Sequence, residues 1–562
     1  MALLTADDLS DASLDALTAQ AVPGPKPAAT GRRWAVSTEH PIAVHVGART
    51  LEAGGTVADA LVSVVAAMQV IIPGTATLAG TFSAVIHERS TGLTHALNAG
   101  YDAPGGEFDG HDPYDHARDR TTGRSVLVPG ALRGLEAAWE RFGRLPWADL
   151  WEPAVALAQD GFPVYPRYHL TATGVHEVLT RHPTGRALFA VDGGVPAPGQ
   201  RFRQPVLAGT LQAIATDGAD HCYLGPWASA AVEVVQELGG RLSLEDLAAY
   251  EARWQPALVG YYAGVEVRTN VPPQSGGASL LTALNVADVL GLHDAPSRTD
   301  SVDVLADLIG TYRAAMPHVF FGPDVYTDVQ DADPSELERL GHALSREHAV
   351  ALAADIRAGR VPATSSVAGG HSHNVVAADA DGNLLACTWT VYGQTWGETG
   401  LFPGGICLAS SAFALEQRRP KHRGGRVIEP LSVYVAVRDD EPVLAASAIG
   451  VGLQAAHLQL AVDVLGRGVP VDEAVAAPRF GAFVRDYRTM LSHGGAVLVE
   501  AGFGAELLED LTGREEIVVG GGADTPVPGT DTGSLAAVAR DPSTAQVTVV
   551  TDPRHVGAAS AG

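Results

Sequence analysis

The stretch from Gly369 to Gly405, GGHSHNVVAADADGNLLACTWTVYGQTWGETGLFPGG, limits the fold more than any other. An apolar run, Val375 to Ala378, is broken by Asp381-Gly382-Asn383 and followed by a second β-prone run, Leu384 to Tyr392. An Asp-Gly step between two such runs predicts a hairpin, because its turn residues must accept positive φ. The chain therefore needs a sheet to receive that hairpin. Gly370, His371, Ser372 and His373 lead straight into the first strand. A hydroxyl and two imidazoles at the start of an apolar strand point to a site.

Composition narrows the class. The 562 residues are 46% apolar and carry both signs of charge, enough for a large core. The net charge of −26 argues against nucleic acid and against an anionic membrane surface, both of which need a basic footprint. Cys222, Cys387 and Cys407 lie in apolar segments without CxxC spacing, so neither a disulfide framework nor a zinc site is expected. His and Asp are scattered without paired spacing of ligand type, and neither a metal nor an organic cofactor is expected. The first twenty residues lack a basic n-region and an apolar core, and no apolar run reaches about 18 residues. A cytoplasmic protein without a membrane span is the expectation.

Along the chain, a weak N-terminal helix and a Pro/Gly linker (Val22 to Gly31) precede the first ordered signals, Trp34 to Ser37 and Ile42 to His45. Val57 to Met68 reads as a buried helix, Phe82–His87 and Leu93–Asn98 as a hairpin, and Asp109 to Gly123 as a charged loop. Helices are expected over Ala131–Phe142 and Trp147–Asp160, the second closing at Gly161. The middle third reads as mostly helical, with a strand pair around Tyr261–Thr269 and a helix after Pro272-Pro-Gln-Ser-Gly-Gly. Strands are expected at Ser432–Val437, Val443–Ala448, Ile517–Val519, Leu535–Ala539 and Val547–Val550, with a helix over Leu453–Leu465. Helices first and strands after imply helices layered over sheets, an α+β or αββα arrangement.

Ten short motifs in order resemble the γ-glutamyltranspeptidase family of N-terminal nucleophile hydrolases. They are Gly54-Gly-Thr-Val-Ala-Asp-Ala, Val128-Pro-Gly-Ala-Leu-Arg-Gly-Leu, Leu145-Pro-Trp, Asp160-Gly-Phe-Pro-Val and Tyr223-Leu-Gly-Pro. Leu242-Ser-Leu-Glu-Asp-Leu-Ala-Ala-Tyr, Pro272-Pro-Gln-Ser-Gly-Gly, Asp381-Gly-Asn, Ala477-Pro-Arg-Phe and Asp552-Pro-Arg complete the set, and the resemblance runs from about Val36 to Gly557. It implies a four-layer αββα sandwich. It also implies a single chain cut before a nucleophile at the start of the central hairpin strand. The freed α-amine then activates that nucleophile's hydroxyl against a γ-glutamyl amide, sound chemistry for an amine that titrates near neutral pH.

The chain departs from that pattern at the site. No Thr lies between Val367 and Ala386. Counting back from Asp381-Gly382-Asn383 without a gap puts Ser372 at the nucleophile position; anchoring on His373 with a one-residue insertion puts His371 there. The ungapped choice keeps strand register and is favoured, because a slip of one residue turns the buried face outward. Apart from the family, Ser372 also reads as an ordinary polar residue, and His371 and His373 as structural imidazoles. Thr390 aligns with a family hydroxyl beside the nucleophile, and is equally a plain strand Thr. Ser447 to Gly452 aligns with the family's oxyanion glycines, Gly450 being the better match.

The γ-glutamyl clamp is missing. Gly100, followed by Tyr101, stands at the family's carboxylate-binding Arg. Tyr392 replaces an Asn that contacts the substrate amino group. Ala409-Ser-Ser411-Ala-Phe-Ala aligns with the segment that supplies the acidic partner, and Arg426-Val427 aligns with its paired serines. Losing both poles of a zwitterion clamp implies a different ligand. Gln417 to Arg426 holds five Lys/Arg in ten residues, either a solvated loop or, through Arg426, a contact for an anionic group. Tyr101, Tyr392, Trp389 and Trp396 line a pocket or pack the core.

These readings give residues 1–31 as an extension and linker, 32–371 as a large-subunit-like region and 372–562 as a small-subunit-like region, the latter two in one αββα body. The expected function is a γ-glutamyltranspeptidase-like hydrolase or acyltransferase of altered specificity. It would act on a non-γ-glutamyl small molecule, in bacterial natural-product metabolism by family analogy. Alternatives are a non-processing binding protein and a C–C bond hydrolase of the alkylproline-pathway type. Partners would be a small-molecule substrate, the large/small subunit pair if the chain is cut, and a second copy in a homo-oligomer.

Overall fold

The Ser372–Ala378 and Leu384–Thr390 strands form the expected hairpin at the middle of a seven-stranded antiparallel sheet. The computed structural model describes residues 3–110, 112–190, 194–315, 328–361, 372–393, 395–417, 420–486, 491–520 and 530–562. The turn is longer than an Asp-Gly step requires. Residues 379–383 loop out, and only Gly382 takes positive φ, at 82°. Asp379 holds the loop: its Oδ1 accepts from the N–H groups of Asp381 and Asn383, and its Oδ2 from Asn383 Nδ2 and Val57 N. A side-chain carboxylate thus replaces the two-residue turn and ties the hairpin to the start of the Val57–Ile71 helix.

In spatial order this first sheet runs Ala558–Ala561, Ala35–Thr38, Ser372–Ala378, Leu384–Thr390, Thr81–Glu88, Leu93–Ala99 and Arg253–Pro256. A second antiparallel sheet runs Ala29–Gly31, Val547–Thr551, Ser534–Arg540, Glu441–Ile449, Val433–Arg438, Val265–Thr269 and Leu258–Tyr262. Between them lies a layer of small and β-branched side chains, among them Val85, Val376, Leu384, Val435, Ala445 and Val538. Helices Pro41–Glu52, Val57–Ile71, Ala131–Phe142 and Trp147–Asp160 share the core on the outer face of the first sheet. Gly276–Leu290, Val302–Ala315 and Leu453–Ala461 cover the second. The architecture is an αββα sandwich, an α+β fold in four layers.

Helices and strands are not segregated along the chain, contrary to the expected order of helices first and strands after. Strands at Ala35–Thr38 and Ala558–Ala561 pair side by side across almost the whole length. Long-range pairing, not order in sequence, decides the layers. A further small sheet has Phe480–Asp486, Leu491–Glu500 and Ile517–Gly520, of which only the last was expected from sequence. The Leu453 helix is regular to Ala461 and widens into a π-helical turn over Val462–Gly466. Among the described residues no helix is long and apolar enough to cross a membrane.

Two of the sequence motifs acquire a structural reason. Arg479 donates to Asp552 Oδ2 at 2.5 Å, and Arg554 grips Glu500 with two donors at 2.6 and 2.7 Å. Arg479 and Asp552 are fully buried, a fork-and-carboxylate arrangement that only complete pairing makes tolerable. It fixes the turn after Val547–Thr551, and that turn carries His555 to the site.

Candidate active site

Alternation along Ser372–Ala378 sorts its side chains. Val375 and Ala377 enter the helix-side core, whereas Val376 and Ala378 enter the layer between the sheets. Ser372 shares the inter-sheet face with Val376. His373 turns to the helix side, where its ring lies 5.7 Å from that of Trp389. Register then lines up hydroxyls: Ser372 lies opposite Thr390, and Thr390 opposite Thr81. Cross-strand partners share a face, so three hydroxyl side chains cross three strands in one row. The inter-sheet layer is therefore apolar at one end and polar at the Ser372 end, where Thr388 and Ser447 also pair at 2.8 Å.

A small cavity of about 40 Å³ opens beside Ser372. Its walls are element ends: Glu39 after the Ala35–Thr38 strand, Ile72 and Thr75 after the Val57–Ile71 helix, and Tyr165 and Arg167 at the start of the Pro166–Gly174 helix. Ile449 and Gly450 come from the end of Glu441–Ile449, and His555 and Val556 from the turn described above. His373 reaches the same space. Gly450 sits at φ 84°, a conformation that suits glycine and aims the backbone at the cavity.

The electrostatics are mixed. Burial pushes the Glu39 carboxyl up, but His555 at 3.3 Å, together with His373 and Arg167, brings it below its ordinary value. It is a buried carboxylate. Burial lowers His373 to about 4, so the ring is neutral at pH 7. The Ile72 carbonyl lies near that ring, yet neither nitrogen closes a well-formed hydrogen bond. Burial and His373 lower His40 to about 3.

The other residues singled out from sequence gather in a second cluster at the far end of the hydroxyl row. Arg426 has no exposed side-chain surface, and every donor group is used. Its Nε donates to Asp102 Oδ1 at 2.6 Å, Nη1 to Asn98 O and Oδ1 at 2.8 Å, and Nη2 to Glu251 O at 2.8 Å. Its guanidinium also lies 4.9 Å from the Tyr250 ring centre. Glu429, which no sequence signal marked, accepts from Thr81 Oγ1 at 2.6 Å and from Tyr101 N at 3.2 Å. Burial pushes its carboxyl up to about 7, against the opposing hydrogen bonds and Arg426. A Cβ on Gly100 would lie 2.8 Å from Glu429 Oε2 and 3.0 Å from Arg426 Cδ. The slot at Gly100 is filled by this chain's own side chains.

Tyr101 packs in a buried group with Tyr392, its hydroxyl donating to the carbonyls of Ala79 and Val391. The Tyr392 hydroxyl donates to Ile428 O, and Ser411 Oγ to Val391 O. Trp389 and Trp396 belong to the helix-side core, Trp389 donating to Thr77 O. Ser372, His373 and Gly450 meet at the cavity, with Thr390 next to them in register. Gly100, Tyr101, Tyr392, Ser411 and Arg426 lie apart from its walls. His371, Arg418 and Arg419 lie outside the described residues. Glu39, Arg167 and His555 carried no sequence signal, since each is a lone residue brought in from a distant segment. Among the described residues no group of His, Cys, Asp or Glu is arranged to hold a metal ion.

Two antiparallel sheets between helical layers, with a hydroxyl residue opening the central strand onto a cavity, define the architecture of the N-terminal nucleophile hydrolases. Within that class the model of gamma-glutamyltranspeptidase matches residues 43–562, and the chain belongs to that family. It is similar to the acylase ACY 1 proenzyme of Pseudomonas sp. (strain V22), 30% identical over 482 residues that cover 81% of this chain and 83% of that protein. It is also similar to the glutathione hydrolase proenzyme of Escherichia coli (strain K12), 28% identical over 468 residues, 78% and 79% of the two chains. Among solved structures, cephalosporin acylase from Bacillus halodurans superposes with a TM-score of 0.80 at 23% identity, covering 96% of this chain and 98% of that one. The protein is a γ-glutamyltranspeptidase-like hydrolase or acylase.

Proposed function

We propose that this enzyme is an amide hydrolase or acyltransferase that has given up γ-glutamyl substrates and works through Ser372 as an N-terminal nucleophile. The observation that carries the reading is the filled slot at Gly100. Glu429 and Arg426 occupy it and satisfy each other's surroundings, whereas Ser372 opens on a separate cavity rimmed by Gly450. In the proposed course, Ser372 Oγ attacks the carbonyl of His371, and the peptide C–N bond breaks as the ester forms, which frees the Ser372 α-amine. Water then hydrolyses the ester, leaving a carboxylate on His371 and a free Ser372 hydroxyl. That amine takes the hydroxyl proton as Oγ attacks the substrate carbonyl, and the Gly450 N–H receives the developing oxyanion. The leaving amine takes the proton back, and water or an acceptor amine clears the acyl-enzyme. Strands from both sides of the cut share both sheets, so large and small subunits would stay interlocked. By family analogy the substrate is a small molecule of bacterial natural-product metabolism.

A denaturing gel with N-terminal sequencing tests the reading. Scaling the 58.2 kDa chain by 371 and 191 of its 562 residues gives bands of about 38 and 20 kDa, the smaller beginning at Ser372. Ser372→Ala should remain one band. A single full-length band from the unaltered chain would overturn the cut and favour a binding protein that never matures. Rapid release from a chromogenic γ-glutamyl anilide would overturn the change of substrate.

A further inference from the structure

Among the described residues Arg167 is the arginine that lines the cavity beside Ser372. It follows Pro166 in the first turn of the Pro166–Gly174 helix and is half-buried. Buried arginines elsewhere in the chain have a carboxylate close by: Arg426 has Asp102, Arg479 has Asp552, and Arg554 has Glu500. Arg167 differs. Among the described residues no carboxylate lies within ion-pair distance of it, and its side chain takes part in no hydrogen bond. In a chain with 64 acidic and 38 basic residues, an unpaired guanidinium facing a cavity is a charge held for something else.

The rest of the cavity agrees. Glu39, the acid on its wall, turns to His555 at 3.3 Å and feels Arg167 only at longer range. Ile72, Ile449 and Val556 are apolar, and a guanidinium gains most from an anion where water is thin. A cavity of about 40 Å³ that has, among the described residues, one cation without an ion-pair partner and a carboxylate nearby suits a single negative charge better than a phosphate dianion.

We propose that Arg167 is a specificity residue that binds a carboxylate on the substrate whose carbonyl Ser372 attacks. This rests on the reading of Ser372 given above. The guanidinium offers two parallel donors in a plane, so the carboxylate fixes both the position and the rotation of the substrate against Ser372. Arg167 does no bond chemistry itself.

The test uses matched amides with and without the charge. Succinyl 4-nitroanilide is compared with the neutral succinamyl 4-nitroanilide, and butanoyl 4-aminobenzoate with butanoyl anilide. The first pair places the carboxylate in the acyl part and the second in the leaving group. The wild-type enzyme should favour the charged member of one pair in kcat/KM. Arg167→Ala should cut that preference about 10- to 100-fold, lowering the charged member far more than the neutral one, with Arg167→Lys in between. Equal losses on charged and neutral members, or no preference in the wild-type enzyme, would overturn the proposal. If no amide is hydrolysed, the reading of Ser372 fails on its own, and calorimetry with succinate decides the binding question. Weaker succinate binding by Arg167→Ala supports the carboxylate site, and equal or absent binding by both chains overturns it.

Discussion

Replacing Arg426 by Met separates a structural role from a substrate role, because the two predict effects on different quantities. Arg426 and Asp102 have 0% and 8% of their side-chain surfaces exposed. Removing the guanidinium leaves the Asp102 carboxylate buried without a counterion, a loss of about 3–5 kcal/mol. The carbonyls of Asn98 and Glu251 lose donors as well, each worth about 1 kcal/mol when water cannot replace it. The total is a large share of the stability of any domain. Pairing the change with Asp102→Leu removes the orphaned charge, and the double variant should recover about 2–4 kcal/mol of the loss. Urea denaturation followed by tryptophan fluorescence reads all three chains. The reasoning is refuted if Arg426→Met unfolds within about 1 kcal/mol of the wild-type chain and instead raises KM. That outcome would return Arg426 to the substrate.

Three further outcomes follow from the same region. Glu429 has its folded pKa raised from 4.5 to about 7, so its contribution is fully present below about pH 4.5 and is lost as pH rises toward 7. The loss is about 3 kcal/mol, and Glu429→Gln, which cannot ionise, should gain that much relative to the wild-type chain between pH 4.5 and 8. A pH-independent difference in denaturation midpoint would contradict it. Gly100→Ala pushes a methyl to 2.8 Å from Glu429 Oε2 and should cost about 1–3 kcal/mol in a thermal melt, with no gain of γ-glutamyl hydrolysis. Arg554→Ala leaves Glu500 without its fork and frees the turn that holds His555. It should cost about 3–5 kcal/mol in urea denaturation and depress activity, whereas full activity in a folded variant would detach that turn from the site.

Much of the fold was legible because it is written in local periodicity. The helices at Ala131–Phe142 and Trp147–Asp160 fall on their expected ends, and the 81–99 and 372–390 hairpins lie where alternating runs meet turn residues. Those signals need only neighbours three or four residues away. The Asp381 turn was half legible. Gly382 supplies the positive φ, but the loop is set by Asp379, whose carboxylate also reaches across 322 residues to Val57.

The site divides the same way. Ser372 was reachable from sequence because a fixed count from Asp381-Gly382-Asn383 places it at a strand start. The sequence by itself therefore determined the family, most of the helices and hairpins, and the strand on which the candidate nucleophile stands. Only the tertiary structure decided what surrounds it. It brought Glu39, Arg167 and His555 to one cavity, and spent Arg426 on Asp102, 324 residues away in the chain. The reason is physical: strand and helix propensities act over one or two turns, whereas the partner of a buried charge is fixed by which distant segments pack against it. An arginine reads the same in sequence whether its carboxylate is its own neighbour or a ligand.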